Sequence, residues 1–138
     1  MINAKDLMIG DWVCTEHDST PRQIDWIRTG EVGLFWNKVV TPSFLVPILL
    51  TSEILERNEF KLYGNEWQYH TEDDKGHILI EFSKDNKLSI NIYNSFVLKD
   101  DKGRADLVHF GRDWCDSFYI HELQNALRLC GIEHEIAL

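Results

Sequence analysis

Residues 116–131 read D-S-F-Y-I-H-E-L-Q-N-A-L-R-L-C-G, and this stretch decides the fold. Ile120, Leu123, Leu127 and Cys130 recur at intervals of three, four and three residues, which is one apolar stripe of an α-helix. Asp116 or Ser117 supplies an N-cap and Gly131 a stop, so a helix is expected over Asp116–Cys130. Such a helix needs an apolar surface to cover, and the preceding segments provide one. Ile78, Ile80 and Phe82 alternate with His77, Leu79 and Glu81, and Leu88, Ile90 and Ile92 alternate with Ser89, Asn91 and Tyr93. This period of two marks an antiparallel sheet with one wet face. Trp67 and Tyr69 place another strand over Glu66–His70, and Phe96–Leu98 with Leu107–Phe110 read as a further hairpin.

Upstream, L-T-S-E-I-L-E-R-N (Leu50–Asn58) spells a short helix. Thr51 is the N-cap, Leu50 and Leu55 have the spacing of a hydrophobic staple, Glu53 suits the first turn and Asn58 the stop. Before it, strands are expected around Trp12–Cys14, over Gln23–Arg28, Val32–Trp36 and Val39–Thr41, joined by short turns, with His17–Pro21 read as turn. The predicted class is α+β: an N-terminal antiparallel β-meander or half-barrel, a short helix, then an antiparallel sheet carrying an amphipathic C-terminal helix. The 138 residues suit one domain, divisible into a β-meander lobe, 1–46, and an α-β-sheet-α lobe, 47–138.

Composition excludes several function classes. A net charge of −9, from 23 acids against 14 bases, disfavours contact with a nucleic-acid backbone, so no direct nucleic-acid binding is expected. No apolar run approaches the ~20 residues of a membrane span, and M-I-N-A-K-D-L is not a signal sequence. Three cysteines, Cys14, Cys115 and Cys130, make no disulfide framework, and the expectation is a cytoplasmic protein with no membrane partner.

Three motifs then occur in order: L-M-I-G-D-W-V (Leu7–Val13), P-I-L-L-T-S-E-I-L-E-R-N-E-F (Pro47–Phe60) and I-H-E-L-Q-N (Ile120–Asn125). Together they resemble short uncharacterised proteins of Bacteroides-type bacteria and their phages, which show L-x-I-G-N-x-V, L-T-E-E-x-L-x-x-x-G-F and V-H-E-L-Q-N. The chain departs from that pattern at Asp11, Ser52 and Glu59, read as surface changes. The resemblance implies a phage-related or mobile-element protein of the cytoplasm and supplies no catalytic residue.

Candidate site residues come from the helix and from the tryptophans. His121, Gln124, Asn125 and Arg128 share one helical flank, either as a ligand or partner site or as groups that fix the helix to neighbouring strand ends. Among five tryptophans, Trp36 and Trp114 stand at element ends and are the candidates for an exposed contact. Cys14-Thr15-Glu16-His17 is half a zinc motif with no second half, so no metal or other cofactor is expected. Gly30-Glu31-Val32-Gly33 has the G-x-x-G spelling of an RNA clamp but carries an acid and sits between strands, where a tight hairpin fits better. The reading is a small non-catalytic interaction or regulatory protein with a protein partner. One alternative is an acidic nucleic-acid mimic using Glu53, Glu56, Glu72, Asp73, Asp74, Asp100 and Asp101; the other is a small enzyme near His109, Cys115 and His121.

Overall fold

The computed structural model describes residues 2–70, 76–82, 88–94, 107–115 and 117–138, with side chains for 2–70, Ile80 and 117–138. The fold is α+β, as the alternation and the helical stripe require. The chain forms two compact units, Met1–Leu49 with Tyr119–Asn125, and Leu50–Phe118 with Ala126–Leu138.

In the first unit, β1 (Trp12–Thr15), β2 (Asp18–Arg28), β3 (Glu31–Leu34) and β4 (Lys38–Val40) form an antiparallel meander. A 3-10 turn over Pro42–Phe44 then returns β5 (Leu45–Pro47) to the free side of β1. The strand order is β4-β3-β2-β1-β5, so among the described residues β4 and β5 are open edges and the sheet is a half-barrel. Its core is formed by Val13, Ile24, Val32, Leu34 and Leu45, with Ile2 and Leu7 from the N-terminal segment. Burying each such side chain contributes about 1.5–3 kcal/mol. The period-two burial along β1, with Val13 and Thr15 in and Trp12 and Cys14 half out, is what selects these residues.

In this unit two boundaries differ by two residues or more from the sequence reading: β3, expected to run to Trp36, stops at Leu34, and β2 starts early. β2 begins at Asp18 and runs through Pro21, where turn residues suggested a loop. The register of β1 and β2 shifts between Val13 and Thr15, an irregularity at which a proline can be carried in a strand. Asp18 holds the segment in place: its carboxylate accepts from the Thr20 amide at 3.0 Å, Arg22 at 3.2 Å and Lys38 at 3.3 Å.

The second unit opens with α1 (Ser52–Arg57), capped by Thr51, whose Oγ1 accepts from Ile54 N at 3.4 Å. Leu50 and Leu55 are both buried, as the staple predicts. A five-stranded antiparallel sheet follows: β6 (Lys61–Tyr63), β7 (Glu66–His70), β8 (Gly76–Phe82), β9 (Leu88–Asn94) and β10 (Leu107–Cys115), in the order β10-β9-β8-β7-β6. Register puts Trp67, Ile80, Ile90 and Phe110 in one cross-strand row, and Trp67 and Ile80 are buried. The expected strand over Phe96–Leu98 and the acidic turns Glu72–Asp74 and Asp100–Asp101 lie outside the described residues.

The C-terminal helix α2 is Ile120–Leu129, shorter than Asp116–Cys130. Its start is set from inside: Glu122 reaches back so that its Oε2 accepts the Tyr119 amide at 2.9 Å, half of a capping box. Glu122 is therefore a cap. Gly131, at φ 67, ends the helix, and Ile132 N bonds back to Leu127 O at 2.9 Å. The last residues are held by Asn58, whose side chain accepts from Ala137 N at 2.7 Å and donates to Ala137 O at 2.8 Å.

Candidate functional site

The polar flank of α2 resolves into separate roles. Gln124 is buried, and its amide is used at both ends: Oε1 accepts Trp12 N–H at 2.9 Å and Nε2 donates to Gly10 O at 3.1 Å. Asn125 Nδ2 donates to Asp6 O at 2.7 Å. Two motifs at opposite ends of the sequence, L-M-I-G-D-W and I-H-E-L-Q-N, are thus one hydrogen-bonded device in the first unit. The side-chain amides bond backbone groups at the entry to β1 in the way a strand partner would. His121 is 5% exposed and stacks on Tyr119, with ring centroids 5.9 Å apart and planes 8° apart. Arg128 is exposed and belongs to the second unit. The structure therefore brings Gln124 and Asn125 onto the Asp6–Trp12 backbone rather than around an open ligand space.

The two described thiols, Cys14 and Cys130, are not activated nucleophiles. Burial, and then the charge of Asp18, pushes the Cys14 thiol up from its ordinary value, and burial does the same for Cys130. Cys14 Sγ donates to Ser19 O at 3.2 Å. Among the described residues no three His, Cys, Asp or Glu side chains are grouped to hold a metal ion. The side chains of His109, Trp114 and Cys115 lie outside those described. Of the carboxylates proposed for an acidic face, Glu53 and Glu56 are exposed on α1, and the other five lie outside the described residues. A cavity of about 310 Å³ in the second unit is lined by Glu59, Lys61, Tyr63, Gln68, Tyr69 and His70, of which only Gln68 and Tyr69 are even partly buried. Among the described residues no helix is long and apolar enough to cross a membrane.

Trp36 is different. It is 86% exposed, the largest apolar side chain left in water among those described. It also sits at φ 76, beside Asn37 at φ 58. Two successive left-handed residues make the tight turn between β3 and β4. Asn accepts that conformation readily, but a bulky aromatic does so only under strain, about 1–2 kcal/mol. Phe35, just before it, is 47% exposed.

A second apolar turn lies at the same end of the sheet. Met8 and Ile9 are 37% and 63% exposed, and Gly10 turns the chain at φ 88. Gln23 links the two turns, since its carbonyl accepts from Phe35 N at 3.0 Å and its Nε2 donates to Gly10 O at 3.2 Å. Neither Leu7–Gly10 nor Gly33–Asn37 contains a charged residue. Of the charges that border them, Asp11, read from sequence as a surface change, is fully buried with Oδ2 accepting Met8 N at 2.8 Å, Lys38 bonds Asp18 and Thr15, and Asp6 is exposed. The result is a pair of uncharged apolar turns, with Met8, Ile9, Phe35 and Trp36 exposed, on a chain of net charge −9. Sequence reading finds Trp36 from its place at a strand end; Met8 and Ile9 escape it, although the uncharged run L-M-I-G was the available signal.

Against models of protein families, curated proteins and solved structures, the chain has no match.

Proposed function

We propose that this chain is a small non-catalytic interaction protein, and that the apolar end around Trp36 is its contact surface. The observation that carries the reading is Trp36 itself: a tryptophan held in water, at a backbone conformation that disfavours it. Strain and exposure both oppose folding, so a use in the assembled state is the economical physical account of their coexistence. Tryptophan is the residue type most enriched among contacts that dominate binding energy. The resemblance to proteins of Bacteroides-type bacteria and their phages supports a place in a phage or mobile element, with a protein of that setting as partner.

Affinity capture from a native host lysate tests this, with the tagged chain compared with Trp36→Gly at low and high salt. A stoichiometric protein, foreign or the untagged chain itself, that survives high salt and is lost with Trp36→Gly is expected. Equal recovery by both chains would remove Trp36 from the contact, and recovery of neither a foreign protein nor the untagged chain at either salt would overturn the interaction reading.

A further inference from the structure

We infer that the apolar end of the first unit pairs with the same end of a second copy of this chain. The inference rests on the reading that this end is a contact surface, and it names the occupant. Area supports it first. A large aromatic side chain carries up to about 250 Å², so Trp36 at 86% exposure, with Phe35, Ile9 and Met8, leaves roughly 500 Å² of apolar surface in water. Two copies would cover about 1,000 Å² together, which reaches the lower bound of a specific protein interface.

Charge supports it second. Two copies each at −9 repel one another, and the repulsion is smallest where the approaching surfaces carry no charge. Neither turn contains a charged residue, and Asp11 and Lys38 are bonded within their own unit, so exposed Asp6 is the charge left bordering the turns and repulsion is low there. The arrangement is also self-complementary in kind. A twofold axis lets the protruding Trp36 of each copy seat beside the Met8–Ile9 turn of the other, an isologous contact that closes at two copies. An anionic surface such as nucleic acid gains nothing here, since no unpaired cation lines either turn.

Sedimentation velocity of the full chain, from low micromolar to millimolar concentration at low and high salt, tests the pairing. The wild-type mass is expected to rise from 16.2 kDa toward twice that value with concentration. Added salt is expected to strengthen the association, because it screens like charges and leaves apolar contact intact. Trp36→Gly relieves the left-handed strain, so it should melt higher than wild type while self-associating at least tenfold more weakly. A variant that is better folded yet monomeric separates contact from stability. Ile9→Ser, on the other turn, should also weaken association. A wild-type chain that stays at 16.2 kDa under all conditions overturns the pairing, as does a Trp36→Gly chain that dimerises like wild type. A monomeric chain that nevertheless captures a foreign protein through Trp36 overturns the pairing alone and leaves the contact surface standing.

Discussion

Gln124 and Trp12, 112 residues apart in sequence, are joined by a hydrogen bond in which the Trp12 amide donates to Gln124 Oε1 at 2.9 Å. The same side chain donates to Gly10 O, so one amide spans the entry to β1. Both ends of the buried side chain are engaged on backbone of the first unit. Gln124→Ala should therefore cost stability rather than a binding activity, by about 1–3 kcal/mol, because the Trp12 amide loses the Gln124 carbonyl while Gly10 O keeps the Gln23 amide. Urea unfolding measures this. A loss under about 0.5 kcal/mol would mean that water replaces the amide at no cost, and the bracing role would fall.

Much of this was legible in the sequence, and the failures have physical reasons. Helix α1 was readable because Thr51, Leu50 and Leu55 are local signals acting within one turn. Strands β7 and β8 were readable from alternation. Strand β6 was not, because Lys61, Leu62 and Tyr63 are all exposed and only pairing with β7 makes them a strand. The first half of β2 was missed because Ser19, Thr20 and Pro21 are turn-prone, and the side chain that fixes them, Asp18, is bonded by Lys38 from β4. The polar flank of α2 was read from helical spacing alone, and spacing cannot reveal that Gln124 and Asn125 are met by backbone near the N-terminus.

Glu59 shows where a sequence departure carries a cost. Read as a surface change, it is indeed exposed, but it stands at φ 68 just past the end of α1. Phe60 N bonds to Leu55 O at 3.0 Å, which makes Glu59 the left-handed residue of a Schellman-type stop, the position glycine fills most easily. Glu59→Gly should stabilise the chain by about 1 kcal/mol, a rise in melting temperature of roughly 3 °C. Calorimetry that finds no rise, or a fall, would show that the Glu59 side chain makes a compensating contribution.

The G-x-x-G stretch is two different glycines. Gly30 turns the β2–β3 hairpin at φ 80 with open space around it, whereas the ring of Trp26 occupies the volume that a Cβ on Gly33 would need. Arg28 in turn lies over that ring, 4.6 Å from its centroid. Gly33→Ala should cost about 1–3 kcal/mol by displacing the indole. Asparagine separates the two cases. Gly30→Asn keeps a residue that tolerates a left-handed turn, while Gly33→Asn still collides with Trp26. Equal effects of the two asparagine variants on the denaturation midpoint would refute this assignment.

Asp18 gives the fold an acid-sensitive joint. Hydrogen bonds from Thr20, then from Arg22 and Lys38, hold its carboxyl well below the usual carboxylate range. In the unfolded chain the same group titrates near 3.9, approximately its free value. The folded pKa is the lower one, so the stabilisation is fully present above about pH 4 and fades as pH falls through the folded value. At neutral pH Asp18→Asn should unfold at lower denaturant than wild type, because an amide cannot hold Arg22 and Lys38 as a carboxylate does. The side chain is 28% exposed, so solvent screening keeps the difference modest. Below pH 4 the two midpoints should converge as the wild-type carboxyl protonates. Midpoints recorded from pH 2 to pH 7 decide the matter: parallel curves would mean that the Asp18 charge has no part in joining β2 to β4.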